Sequence, residues 1–409
     1  MRILIVTDSY PPEVRSASQL MADLAEGLSE KGNVVVVATT MPGYNLTGHD
    51  KNKNIPEEEM LNNVRVMRIE TLPHHRVNYI FRGINQLLLP YFFTKKVLQR
   101  LPRAFDVVIV HSPPLPLARA AARIAKQYHA KFIANVHDIF PQNGIDLVVW
   151  WQKPLIQLFF GWMERYVYAA ADHIVVPSEN HAQYLAEKRE VFSAKLSVIP
   201  HWVHAESFFQ TSQYNFRKQW NLENKFIFFF GGVLGPSQAL DMVLDVAQTF
   251  LEIPEVCFLF VGDGTDRVRL ISIVQKKKLT NVLFKPFISS EEHLALLQEV
   301  DIGVVALNSK NTTPAVPAKL MGYMAAGVPV VVSVHKESDA LRIVDEAQCG
   351  FIAISNNKEG VIEAFHKAYN ARFSLKILGK NGLHYAKQHF SMSRCMAMWE
   401  RVLGISVQK

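Results

Sequence analysis

Cysteine is scarce: Cys257, Cys349 and Cys395 are the only three in 409 residues, far apart and without a C-x-x-C pair. That argues against a disulfide framework or a cysteine zinc site and for a reducing compartment. Long apolar runs are also missing. The first, residues 3–6, is too short for a signal peptide. None approaches the length that spans a bilayer, and the nearest, residues 159–171, is interrupted by Glu164 and Arg165. The loop after the first strand is TDSYPPEV, so the G-x-G-x-x-G dinucleotide fingerprint is absent. No Walker loop, Ser/His/Asp triad, nucleic-acid readout pattern, internal repeat or low-complexity segment is evident. His201 and His204 have metal-like spacing, but with no third candidate ligand they read as structural, and no metal or cofactor is expected.

The length suits two domains, and the composition, 49% apolar and 20% charged, is ordinary for a globular protein. The chain opens as strand (3–6), helix (19–28) and strand (34–38), a βαβ unit that implies a parallel sheet. Residues 41–63 read as a polar, irregular loop. Residues 79–101 have helical apolar spacing, with a kink expected at Pro90. Strands follow at 106–110, 131–135, 171–176 and 195–199. A second set lies at 225–230, 256–261, 282–284, 302–306 and 330–333, separated by helical patterns at 238–250, 266–278, 290–299 and 318–326. The expected fold is therefore α/β, two Rossmann-like doubly wound domains. The boundary falls within 201–222, drawn here as 1–203 and 204–389. Ligands sit beyond the carboxyl ends of such strands, and two facing sheets would make a cleft.

Net charge is +7, from 44 basic and 37 acidic residues. Residues 64–105 hold eight basic side chains (Arg65, Arg68, Arg76, Arg82, Lys95, Lys96, Arg100 and Arg103) against Glu70 alone, an excess equal to that of the whole chain. A basic amphipathic stretch suits an anionic membrane surface; a half-buried helix with a solvated basic face is the plainer reading.

The stretch TTPAVPAKLMGYMAAGVPVVVS (312–333) reads as loop, helix, turn and strand. Pro317 suits a first helical position, and Gly327 with Pro329 ends the helix. Lys319 falls in the first turn, where backbone N–H groups already make the helix end positive. Either it is a solvated surface lysine, or it and those N–H groups hold an anion together. FIFFFGGVLGPSQALD (226–241) runs from strand through a turn into a helix. There Gly231, Gly232 and Gly235 would let backbone approach a diphosphate. VGDGTDRVRL (261–270) repeats the arrangement around Gly262, with Asp263 or Thr265 as the natural cap. His137 and Asp138 follow a strand and are either site residues or a hydrogen-bonded structural pair.

In this order, the pieces resemble the glycosyltransferase family 4 enzymes, of the GT-B fold, over nearly the whole length. The resemblance rests on SYPPEVRSASQLMADLAEGLSEKGNVVVVAT, ADHIVVPSE, VIPHWVHAESF, FFGGVLGPSQALDMVLDVA, LFVGDGTDRVRL, NVLFKPFISSEEHLALLQEVDIGVVAL and VPAKLMGYMAAGVPVVVS. The most similar branch makes bacterial O-antigen and capsule and includes N-acetyl-L-fucosamine transferases. There are departures. Arg15 and Ser16 stand where the family often has Gly-Gly. GGVLGPSQAL has no cation where many members carry Arg and Lys. The family's two glutamates, eight apart, fall on Pro314 and Gly322. PAK (317–319) matches a PSK of the branch, which makes Lys319 the candidate replacement cation.

The resemblance implies a metal-independent enzyme that moves a sugar from a UDP-sugar, with retained configuration, to a lipid-diphosphate-linked saccharide. It implies catalytic roles for His137 and Asp138. It places the donor at Gly231, Gly232, Gly235, Gly262, Lys285, Phe287, Pro317 and Lys319, with Glu13, Arg15 and Ser16 as the acceptor or phosphate loop. The last helix, within 390–409, would cross back to the first domain. Location would be cytoplasmic, peripheral at the inner face of the cell membrane, with no nucleic-acid partner. A nucleotide-sugar 2-epimerase of the same fold and a degenerate, non-catalytic partner subunit are the alternatives.

Overall fold

A computed structural model describes residues 1–43, 46, 54–72, 79–102, 104–145, 153–204 and 214–405. The chain forms two compact units, Met1–Pro200 together with Cys395–Lys409, and His201–Arg394.

In the first unit, strands β1 (Arg2–Val6), β2 (Val34–Thr40), β3 (Glu58–Leu61), β4 (Val64–Ile69), β5 (Val107–Ser112), β6 (Lys131–Val136), β7 (His173–Val176) and β8 (Leu196–Val198) form one sheet, ordered β3-β4-β2-β1-β5-β6-β7-β8. All pairs are parallel except β3–β4. The central strands are runs of Val, Ile and Leu buried on both faces, as parallel strands require. Helices α1 (Ser16–Glu30), α2 (Tyr79–Arg100), α3 (Leu115–Tyr128), α4 (Gln142–Ile145), α5 (Lys153–Ala170) and α6 (Glu179–Arg189) connect them. One core unites Leu4, Val6, Val108, Val110 and Ala134 with Phe93 of α2, Ala121 of α3 and Met163 of α5. From Cys395 on, the chain packs with this unit, where Lys31 pairs with Glu400 at 3.1 Å and Lys131 Nζ donates to Val402 O at 2.8 Å.

The second unit holds β9 (Phe226–Gly231), β10 (Val256–Val261), β11 (Val282–Lys285), β12 (Ile302–Ala306), β13 (Val330–Val334) and β14 (Gly350–Ile354), all parallel, in the order β11-β10-β9-β12-β13-β14. Its helices are α7 (Phe216–Gln219), α8 (Leu240–Thr249), α9 (Arg267–Lys277), α10 (Ser290–Leu297), α11 (Ala318–Ala325), α12 (Asp339–Ala347), α13 (Lys358–Asn370) and α14 (Leu375–His389). Helix α15 (Met392–Leu403) carries the chain back to the first unit. Several starts are capped from the side chain, including a full capping box of Ser289 with Glu292 on α10. All three cysteines are free and buried.

The sequence reading differs from the structure in several places. Strand β4 and helices α12 to α14 were outside the expected set. Part of the 41–63 loop is strand β3, joined to β4 by Asn62 and Asn63, both at positive φ. Two left-handed residues make the tight hairpin turn that suits a twisted ribbon. The short strand EEML is polar enough to read as loop. Strand β14 was absent from the expected set, because Gly350–Ile354 is only partly buried at the sheet edge. Helix α2 runs on through Pro90 without interruption.

The basic stretch 64–105 also looks different once folded. Arg65 pairs with Glu58, Arg68 with Glu59 and Arg100 with Glu57, acids that lie just outside that window. Arg68 is 2% exposed and donates to Pro11 O at 2.9 Å, so it is a structural residue. Arg76, Arg103 and the side chain of Arg82 lie outside the described residues, as do 205–213 of the domain boundary.

Glu164 of α5 is 1% exposed, and both its oxygens accept from Arg189 Nε of α6 at 2.9 Å. Burial raises the Glu164 carboxyl above its usual range, and Arg189 opposes that rise. Removing one partner of a buried pair costs about 3–5 kcal/mol. Arg189→Ala is therefore expected to lower the urea midpoint clearly. Without Arg189 the folded-state pKa of Glu164 lies above the unfolded one, so the deficit should grow as pH rises from 5 to 8. Equal midpoints for wild type and variant at pH 8 would reject the pairing.

Candidate functional site

Each sheet has a point where the chain reverses its direction of winding, and there the loops splay apart. In the second unit that point lies between β9 and β12. Gly231 closes β9, and its N–H donates to the Tyr323 hydroxyl of α11 at 3.1 Å. A Cβ at Gly231 would lie 2.8 Å from the Phe229 ring and 2.9 Å from His293, so packing alone demands glycine there. Gly232, at φ +126°, would place an added Cβ within 4 Å of nothing. Gly262, at φ +154°, faces the Gly232 carbonyl so closely that a Cβ would lie 1.9 Å from that oxygen. The two turns are laced by Gly232 N to Val261 O at 2.9 Å and Leu234 N to Asp263 O at 2.9 Å. Among the described residues, the Val233 and Gly235 amides donate to no protein acceptor.

Helix α11 starts beside this turn. Pro317 is its N-cap, not its first helical residue, and supplies no side-chain acceptor. Among the described residues the amides of Ala318 and Lys319 are also without one. Lys319 Nζ lies 4.1 Å from the centre of the Phe230 ring and donates to Gln238 Oε1. Loss of water around the ammonium pulls Lys319 down to about 7. No carboxylate pairs with it among the described residues. The arrangement therefore offers open amides, a helix N-terminus and one cation that an anion would stabilise in its charged form. Asn308, just beyond β12, pins the turn by donating from Nδ2 to Pro236 O at 2.9 Å.

Lys285 and Phe287 stand at the carboxyl end of the edge strand β11. The Lys285 ammonium lies over the Trp220 ring at 5.2 Å, and Phe287 is 38% exposed. Gly262 N donates to Lys285 O at 3.1 Å, which links the end of β11 to the turns.

In the first unit the reversal lies between β1 and β5. Asp8, beyond β1, pairs with Arg15 at 3.1 Å, and Arg15 is the N-cap of α1, which begins at Ser16. Glu13 is buried, and its Oε1 accepts from Gly43 N at 2.9 Å. His111 of β5 and His137, beyond β6, meet edge to face with centroids 4.4 Å apart. Burial pulls the His111 imidazole down to about 4, so it is neutral near pH 7. His137 N donates to Ser112 O at 2.9 Å, and Asp138 is exposed beside it. The sequence reading missed His111, Asp8, Gln238 and Phe230. His111 sits at a strand's carboxyl end, the same signal that singled out His137. Among the described residues no group of three or more His, Cys, Asp or Glu side chains could hold a metal ion.

Residues 17–207 match the family model Glycosyltransferase Family 4, and residues 212–384 match Glycosyl transferases group 1. The chain is 24% identical over 279 residues to WbjE of Pseudomonas aeruginosa, described as a probable glycosyltransferase; the match covers 66% of this chain and 67% of that one. Among solved structures it is similar to Anabaena HepE in complex with UDP-glucose, with a TM-score of 0.73, 16% identity and 99% of each chain covered. It is also similar to WaaG, a glycosyltransferase involved in lipopolysaccharide biosynthesis. That TM-score is 0.72 at 12% identity, covering 98% of this chain and 100% of that one. These likenesses establish two Rossmann-like domains of the GT-B fold.

The clasp between the turns predicts a ranking. Gly262→Ala should destabilise the second unit most, by at least about 3 kcal/mol, because a backbone clash adds to positive-φ strain. Gly232→Ala should cost about 1–2 kcal/mol from strain alone, and Gly235→Ala, with its nearest contact at 3.7 Å, the least. Urea titration followed by circular dichroism checks the order.

Proposed function

We propose that this chain, a glycosyltransferase built from a Family 4 domain followed by a group 1 domain, moves a sugar from a UDP-sugar to a lipid-linked saccharide with retained configuration. The observation that carries this reading is the convergence of the 232–235 turn, the open start of α11 and Lys319 at the β9/β12 reversal. A diphosphate leaving group develops negative charge as its bond to the sugar breaks, and preorganised N–H groups with one cation answer that need. The acceptor hydroxyl forms the new bond to the anomeric carbon and yields its proton to the departing phosphate oxygen. His137, with neutral His111 against it, is read as the contact to the donor sugar, and Asp138 as a further polar group beside it. Arg15, Glu13 and Ser16 belong to the acceptor side. Uracil as the base is supported by the UDP-glucose bound to HepE, and an envelope polysaccharide by the stated role of WaaG. No metal is required in this scheme. Such an acceptor would keep the protein at the inner face of the cell membrane; no helix among the described residues is long and apolar enough to cross one.

A non-catalytic partner subunit is the second reading, favoured by the absence of acids at Pro314 and Gly322. One titration separates the two. The protein should bind UDP, without Mg²⁺, more tightly than GDP or ADP in calorimetry. Failure to bind any nucleotide or nucleotide sugar favours the partner subunit.

Lys319→Met should weaken UDP binding about tenfold or more, the scale of a lost charge-assisted hydrogen bond. Free Lys319 titrates near 7, and a bound diphosphate would raise that value. Wild-type affinity should therefore fall as pH rises from 6.5 to 8.5, and the variant's should stay flat. A parallel slope in both removes Lys319 from the site.

His137→Ala should lower turnover by about 10²-fold or more with UDP affinity and unfolding midpoint retained. Wild-type rates would make the histidine structural.

A further inference from the structure

Lys319 does not stand alone beside the 232–235 turn. Its ammonium donates to Gln238 Oε1 and lies over the face of Phe230, a ring that is 1% exposed. An ammonium only donates, so the atom of Gln238 that faces it is the amide oxygen. The amide's Nε2 donates in turn to Ser237 Oγ at 3.4 Å, which leaves Oε1 directed at the lysine.

The backbone that carries Gln238 is fixed. Pro236–Gln238 is a single 3₁₀ turn, closed by Gln238 N donating to Gly235 O at 3.0 Å. Asn308 holds it twice, through its N to Ser237 O at 2.8 Å and its Nδ2 to Pro236 O at 2.9 Å. Ala239, at φ +48°, then turns the chain into α8. The titratable groups nearby are engaged elsewhere or neutral. Asp241, in the first turn of α8, accepts from both terminal nitrogens of Arg269 on α9. His293 of α10, against the Phe229 ring, is pulled down by burial to about 4 and is neutral near pH 7. Burial also keeps the Tyr323 hydroxyl of α11 protonated. Among the described residues neither a carboxylate nor a second cation acts on Lys319, only the loss of water.

We infer that Gln238 is a positioning residue for Lys319: it holds the ammonium at the start of α11, in place for the donor's diphosphate, without cancelling its charge. A glutamate there would fix the ammonium equally well, but it would neutralise it and compete with an arriving anion. An aliphatic side chain would leave only the ring face, and a buried ammonium without an acceptor gives up its proton more readily. A neutral amide satisfies one N–H, keeps the charge and leaves the remaining donors to a ligand. The stretch GGVLGPSQAL, which has no cation of its own, thus supplies the acceptor for a cation that arrives on another helix. This inference rests on the diphosphate donor proposed above.

The test is calorimetric titration of the full chain with UDP across the neutral pH range, with urea midpoints to check folding. Gln238→Leu should weaken UDP binding about tenfold, the scale of a hydrogen bond to a charged group. In a Lys319→Met background it should cost nothing further, because no ammonium is left to place. Gln238→Glu should also bind more weakly, and it should lose the fall in affinity with rising pH, because the carboxylate keeps Lys319 charged throughout. Should Gln238→Leu misfold, Gln238→Glu, of the same shape, carries the test. An equal loss in both backgrounds would make Gln238 a direct ligand contact and overturn the positioning role. So would wild-type affinity and pH slope in Gln238→Glu. A second measurement needs no nucleotide. The Lys319 ε-carbon resonance of lysine-labelled protein, assigned by its loss in Lys319→Met, should titrate at higher pH in Gln238→Glu than in wild type, and at lower pH in Gln238→Leu. Such shifts in a protein that binds no nucleotide keep the contact and remove the donor reading. An unshifted titration removes the contact, whether or not UDP binds.

Discussion

The second unit depends on how closely two turns approach. Residues 231–235 and 261–266 follow adjacent parallel strands, and their backbones exchange hydrogen bonds where side chains would normally keep them apart. That approach is possible because residue 262 has no Cβ to meet the Gly232 carbonyl. The clasp fixes the turn from behind and leaves its other side open at Gly232. The Tyr323 hydroxyl then ties α11 to the same strand end through Gly231 N. Lys319, one turn earlier on α11, is thereby held over Phe230 and against Gln238. The glycine at 262 thus helps set where the cation stands.

The two chain reversals use opposite electrostatics. At the first, Arg15 is already paired with Asp8 and His111 is neutral, so the cations there are spent or uncharged. At the second, backbone amides and a lysine stand without a carboxylate to balance them. A neutral acceptor hydroxyl needs orientation and a water-poor setting, whereas a leaving diphosphate needs charge. On the proposed function, the first pattern would suit a saccharide and the second a nucleotide.

Most of the fold was legible because parallel strands buried on both faces are unbroken runs of Val, Ile, Leu and Phe. Residues 107–110 and 258–261 are such runs. Strands β3, β4 and β14 were not: β3 is polar, β4 mixes apolar residues with two arginines, and β14 is a short, partly buried edge strand, and their pairing comes from neighbours that the local sequence does not reveal. Gly231, Gly232, Gly235 and Gly262 were legible as a group, yet not their division of labour. Whether a glycine packs or lies open depends on what stands opposite, and His293 and Gly232 come from distant parts of the chain. The charge of 64–105 misled for the same reason. Its partners Glu57 to Glu59 sit one hairpin away in sequence but directly beside it in space.

The resemblance puts the family's two glutamates at Pro314 and Gly322, and Lys319 lies between them in sequence. A carboxylate in that neighbourhood would hold the ammonium charged and partly satisfied before any ligand arrived. Without it, burial against Phe230 pulls the Lys319 ammonium down to about 7, and an arriving anion would favour its charged form. The glycine at 322 has no steric cause: a Cβ there would meet nothing within 4 Å, and glycine inside a helix costs about 0.5–1 kcal/mol relative to alanine. Open space at Gly322 and the absence of a carboxylate beside Lys319 among the described residues therefore coincide on α11, and both suit an anionic ligand.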